Sequence, residues 1–171
     1  MQKQIYDATN FLGSIKVLLS DDDKLTVKLV SDTLQVFGVK NIKCLYDGDE
    51  TKKEVYNKKY DLIIIDWKIG NFDGCNLVKE LRFDEKAKNR YTPVILLTGK
   101  STAEEVKEAR DNGVTEFLLK PFSVKKLREK LIEIVEHPRN FIISRNYIGP
   151  DRRRVNLKVE NERRQNNPDI E

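Results

Sequence analysis

Four short apolar runs in this 171-residue chain end in residues that could do chemistry. IKVLLS at 15–20 leads into Asp21, Asp22 and Asp23, and DLIIID at 61–66 ends in Asp66. PVILLT at 93–98 ends in Thr98, and EFLLK at 116–120 ends in Lys120, ahead of Pro121. Carboxylates gathered in one place raise one another's pKa values and require a counter-charge. Hard oxygen ligands without a nearby His or Cys suit Mg²⁺, which takes one or two carboxylates, water and a phosphate oxygen. A carboxylate at a strand end is also a nucleophile toward phosphorus, giving an aspartyl phosphate. Such a transfer depends on positioning and charge neutralisation. The cation would take one phosphoryl oxygen, Lys120 a second and the Thr98 hydroxyl a third.

This chemistry requires the runs to lie side by side with their carboxyl ends aligned. A fifth run, IKCLY at 42–46, completes the set, and most of the runs are continuously apolar, as strands are when both faces of a parallel sheet are covered. Helical spacing appears between them. Leu25, Leu29, Val30, Leu34 and Phe37 precede Gly38; Leu77, Val78 and Leu81 fall within 74–90; Val106 and Ala109 fall within 102–113. A last helix at about 122–137 carries Val124, Leu127, Leu131, Ile134 and Val135 and is stopped by Pro138. The alternation predicts an α/β fold: a doubly wound, flavodoxin-like, five-stranded parallel sheet of order 2-1-3-4-5 with helices on both faces. Ligands bind such sheets outside the carboxyl ends of the strands, where the polar residues converge.

Residues 1–14 read as an N-terminal extension, 15–137 as the domain and 138–171 as a basic C-terminal tail of 34 residues, too few and too polar for a core of their own. The tail holds eight Lys or Arg against five acids, three of the net charge of +4, which leaves +1 for the first 137 residues. That surplus is too small to favour electrostatic nucleic-acid binding. Hydrophobic residues at 39% with 35% charged residues of both signs suit a soluble domain. No apolar run approaches the ~18 residues that cross a bilayer. No secretory pattern opens the chain, so cytoplasmic residence without membrane attachment is expected, and two cysteines, Cys44 and Cys75, fit it.

VLLSDDD (17–23), LIIIDWKIGNFDG (62–74), VILLTGK (94–100) and FLLKPF (117–122) together resemble the receiver domains of two-component response regulators, over about residues 15 to 122. The resemblance implies a single-domain switch in which Asp66 accepts a phosphoryl group from a histidine kinase or phosphotransfer protein. It implies Mg²⁺ held by Asp22, Asp66 and the Lys68 backbone carbonyl, with Asp21 acting through water. Thr98 and Lys120 would sense the phosphoryl group, the Lys120–Pro121 peptide would be cis, and Phe117 would be the aromatic switch residue. Catalysis would be limited to Mg²⁺-dependent self-phosphorylation and self-dephosphorylation. Signalling would pass to a downstream protein, and the last two strands and helices allow a homodimer.

Some positions depart from the family pattern. Ile69 and Gly70 replace the usual Met-Pro, and Ser20 is polar where the family is apolar. Lys68 and Lys100 stand two residues beyond Asp66 and Thr98, where this family modulates phosphoryl lifetime. Their ammonium groups are expected to attract phosphodonors and crowd an attacking water.

Competing readings are weaker. TGKST at 98–102 lacks the earlier glycine of a phosphate-binding loop, because Val94 stands there. A haloacid-dehalogenase-type phosphatase needs a second Asp where Lys68 is, and no G-x-G-x-x-G follows a strand. His137, the single histidine, falls at a helix end, where the dipole favours its charged form. In the tail, Gly149-Pro150-Asp151 has turn chemistry, Phe141, Ile142, Ile143, Tyr147 and Ile148 are apolar enough to dock, and Arg152, Arg153 and Arg154 offer bidentate donors. The alternative function is a regulator whose basic tail contacts nucleic acid directly.

Overall fold

The computed structural model describes residues 12–99 and 102–153. Strands β1 (Lys16–Ser20), β2 (Asn41–Leu45), β3 (Leu62–Asp66), β6 (Val94–Thr98) and β7 (Glu116–Leu119) form one parallel sheet in the order β2-β1-β3-β6-β7, which is the expected 2-1-3-4-5. Helices α1 (Lys24–Val36), α2 (Gly48–Asn57), α3 (Gly74–Phe83) and α4 (Ala103–Asp111) make the four crossovers, and α5 (Val124–Glu136) follows the last strand. Two short antiparallel pairs complete the described chain: β4 (Lys68–Ile69) with β5 (Phe72–Asp73), and β8 (Phe141–Ile143) with β9 (Ile148–Pro150).

Alternate residues of each central strand feed opposite faces, so the sheet carries two cores. Leu18, Ile63, Ile65 and Leu96 pack with Val55 of α2, Leu77 and Leu81 of α3 and Ala109 of α4. Val17, Leu19, Ile64 and Leu97 pack with Val27, Val30 and Leu34 of α1 and with Leu127 and Leu131 of α5. Leu12 joins the second core, while Tyr6 and Phe11 lie outside the described residues. No helix among the described residues is long and apolar enough to cross a membrane.

Several helix expectations are corrected. The buried stripe of α1 is Val27, Val30, Thr33 and Leu34; Leu25 and Leu29 face solvent. On α5, Leu127 and Leu131 are buried and Val124 is exposed, because its place one residue after the Ser123 cap lies before the helix settles on the sheet. Helix α3 stops at Phe83 rather than continuing to 90. Beyond it the chain folds back so that the buried Arg82 guanidinium donates to the carbonyls of Asn89, Arg90, Thr92 and Gly113.

The regular structure does not end at Pro138. The turn of the terminal hairpin falls at Ser144–Tyr147, where Ser144 and Tyr147 exchange hydrogen bonds, and Gly149 and Pro150 are strand residues. Tyr147 and Ile148 are buried against the domain.

Candidate functional site

Strand register brings the polar residues to one edge. Ser20 pairs with Ile65, Asp66 with Leu97 and Thr98 with Leu119. Backbone bonds extend each rung by one residue: Asp21 N–H donates to Leu45 O (3.2 Å), Trp67 N–H to Leu97 O (2.8 Å) and Lys120 N–H to Thr98 O (2.7 Å). The Lys120–Pro121 peptide is cis.

The three consecutive acids separate. Asp21 is fully buried; one oxygen accepts from the Asp23 amide (3.0 Å) and the other from Lys120 Nζ (2.6 Å). Asp22 accepts from the Gly70 amide at 2.8 Å, which ties it to the β4–β5 turn. Gly70 makes that turn with φ +60°, a conformation glycine adopts without strain. Asp23 caps α1, accepting from the Thr26 hydroxyl and the Leu25 and Thr26 amides, and these bonds, the Thr26 hydroxyl foremost, hold its carboxyl below the usual range.

Asp21, Asp22 and Asp66 each place a carboxylate oxygen within 4.8 Å of the others. Lys120 Nζ bridges two of them, 2.6 Å from Asp21 and 3.2 Å from Asp66. Burial, reinforced by the charge of Asp21, pushes the Asp66 carboxyl up to about 6 against the pull of Lys120. Burial alone would depress the Lys120 amine, but its hydrogen bond to Asp21 and the field of Asp66 leave it above the ordinary value. Three carboxylates against one ammonium leave two formal negative charges. An all-oxygen donor set with that deficit fits a hard divalent cation such as Mg²⁺.

Several supports were not legible beforehand. The Ser20 hydroxyl sits 2.6 Å from that of Thr51, which in turn donates to Asp47 O, so the polar residue ending β1 is answered by α2. Gly74 lies directly behind the site: a Cβ there would stand 2.1 Å from the Asp66 carbonyl oxygen. Its signal was a glycine at the first position of a helix, where only a close backbone approach rewards it.

Thr98 is buried at the end of β6, and Phe117 is half-buried on β7 with Lys130 Nζ 5.7 Å from its ring centroid. Lys68 is exposed on β4, and Lys100 lies outside the described residues. Cys75 is buried at the start of α3, Cys44 is half-buried on β2, and His137 ends α5 in solvent. In the C-terminal segment, Tyr147 is buried rather than displayed, and Arg152 stacks on it at 3.6 Å while pairing with Asp111 at 2.7 Å. Arg153 is exposed, and Arg154 lies outside the described residues.

A family described as response regulator receiver domain matches residues 17–132. Chemotaxis protein CheY-3 of Vibrio cholerae is 30% identical over 123 residues, 72% of this chain and 93% of that protein. The receiver domain of Francisella response regulator 1452 superposes with a TM-score of 0.64 at 31% identity, covering 72% of this chain and 98% of that structure. Chemotaxis response regulator CheY4 of Vibrio cholerae gives 0.63 at 30% identity, covering 70% and 98%.

Proposed function

The chain belongs to the response regulator receiver family of two-component systems, and from that membership we propose that it is a phosphorylation-dependent switch. Asp66 accepts a phosphoryl group from a histidine kinase or phosphotransfer protein, and the switched form engages a downstream protein. The observation that carries this reading is the convergence of Asp21, Asp22 and Asp66 within 4.8 Å, with Lys120 across two of them.

Asp21, Asp22, Asp66 and the Lys68 carbonyl are the groups that would hold Mg²⁺, which when bound offsets their negative charge and polarises a phosphoryl oxygen. In the transfer, an Asp66 carboxylate oxygen forms its bond to phosphorus while the phosphorus–nitrogen bond of a phosphohistidine donor breaks, and the electron pair leaves with the imidazole. Lys120 follows the new charge: its ammonium already spans Asp21 and Asp66 and donates to a phosphoryl oxygen. The Thr98 hydroxyl, held at the adjoining strand end, donates to another. Phe117, three residues before Lys120, repacks as β7 adjusts, and Lys68 and Lys100 slow hydrolysis by crowding the attacking water. The engagement of Arg152 with Tyr147 and Asp111 counts against a basic tail free to bind nucleic acid.

Incubation with acetyl phosphate and Mg²⁺, followed by borohydride reduction and peptide mass mapping, tests the reading. The acyl phosphate at Asp66 should be reduced to an alcohol at that residue alone. Reduction at another carboxyl would overturn the assignment.

A further inference from the structure

The terminal hairpin sits at the amino end of the sheet, opposite Asp66, and its contacts concentrate on the turn after α4. Gly149 and Gly113 meet back to back: a Cβ on Gly149 would fall 2.7 Å from Gly113 Cα, and one on Gly113 would fall 2.6 Å from Ile148 O. Gly113 closes the turn after α4, and Arg152 holds Asp111, the last residue of that helix. Of the described residues of α4, only Ala109 is buried, so the helix depends on few core contacts and the hairpin adds to them.

The fit is incomplete. A cavity of about 250 Å³ remains between α4, β7 and the hairpin, lined among others by Phe117, Arg139, Tyr147 and Arg152. Docking also covers a buried cation. Phe141 lies over the Arg82 guanidinium at 5.0 Å, and that group donates to four carbonyls. Removing water from it opposes closure. A well-shaped contact with a cavity and a desolvated charge beneath it is balanced rather than locked.

Both sensing residues lead to this contact. Thr98 is followed five residues later by α4, and Lys120 stands three residues after Phe117, a wall of the cavity. We propose that the β8–β9 hairpin with Arg152 is a latch on α4 whose docking is linked to the phosphoryl state of Asp66, a linkage that rests on the function assigned above. The phosphoryl-free site favours the docked hairpin. A phosphoryl group draws the Thr98 hydroxyl toward Asp66 and shifts Lys120 from the Asp66 carboxylate, 3.2 Å away, onto a phosphoryl oxygen; α4 and β7 follow, and the glycine contact, which has no slack, opens. By reciprocity, a chain whose hairpin is already loosened binds the phosphoryl mimic more tightly by the same factor.

The test uses the full chain with MgCl₂ and beryllofluoride as the phosphoryl mimic. Occupancy is read from Trp67, the one tryptophan and the neighbour of Asp66, and latch opening from hydrogen exchange of residues 139–153. Saturating beryllofluoride should accelerate that exchange by about fivefold or more, in line with ordinary coupling energies. Gly149→Ala, and Arg152→Ala where the former does not fold, should bind beryllofluoride more tightly by the same factor. If Trp67 reports saturation while hairpin exchange is unchanged or slower and both variants bind as wild type does, the latch is wrong and Asp66 keeps its role. If Trp67 does not respond and acetyl phosphate leaves Asp66 unmodified, the assignment of Asp66 fails and the latch with it.

Discussion

Replacing the reactive carboxylate should make the metal-free protein more stable. The Asp66 carboxyl stands at about 6, against an ordinary value of 3.8, because burial and the charge of Asp21 outweigh Lys120. The gap of about 2.2 corresponds to about 3 kcal/mol at about 1.36 kcal/mol for each pKa unit. Below 3.8 both folded and unfolded chains hold the proton. Between 3.8 and about 6 the unfolded chain releases it while the folded chain keeps it, so stability falls as pH rises. Above about 6 both are ionised, and the whole difference stands against the folded state. Asp66→Asn keeps the shape and removes the charge. In urea unfolding with EDTA near pH 7.5, the variant should gain about 2–3 kcal/mol with an unchanged m value, and the gain should fade toward about pH 4. Adding Mg²⁺ should narrow the gap by stabilising the wild type, since only a folded site gathers the three acids. A variant less stable than wild type at pH 7.5, or a gain independent of pH, would refute the electrostatic reasoning.

Other outcomes follow from the same contacts. Lys120→Met strands the buried Asp21 carboxylate and should cost about 3 kcal/mol in denaturant unfolding, most of it recovered when Asp21→Asn is added; an uncompensated double variant would contradict that pairing. Gly74→Ala forces a methyl group onto the Asp66 carbonyl and should cost about 2 kcal/mol while weakening beryllofluoride binding, as read by Trp67 fluorescence. Lys68→Ala and Lys100→Ala should each speed loss of the phosphoryl group in a phosphate-release assay; unaltered rates would remove both lysines from the lifetime argument.

The sheet was legible because most strands are continuous apolar runs and the site residues end those runs: Asp66, Thr98 and Lys120 are placed by strand register alone. Helix faces were less so. Leu25 and Leu29 obey helical spacing as well as Val27 and Leu34 do, and only the seating of α1 on the sheet selects between them. Arg82 reads as a surface charge on a helix, yet it is buried because the carbonyls of Asn89, Arg90 and Thr92, where the chain folds back after α3, and of the more distant Gly113 converge on it. The hairpin was hidden for a related reason. Phe141, Ile143, Tyr147 and Ile148 looked apolar enough to dock, but Gly149-Pro150 reads as a turn, and it becomes strand through the close approach to Gly113. Within the site, the division of labour among Asp21, Asp22 and Asp23 could not be read from three identical letters; it is set by which neighbour each carboxylate meets, Lys120, the Gly70 amide or the first turn of α1.

The most direct test is intact-mass spectrometry of the wild type and Asp66→Ala after incubation with acetyl phosphate and Mg²⁺. The wild type should gain the mass of one phosphoryl group, lost again on omission of Mg²⁺, and the variant should gain none. A wild-type spectrum without added mass, or equal labelling of the two proteins, would contradict the assignment of Asp66 as phosphoacceptor.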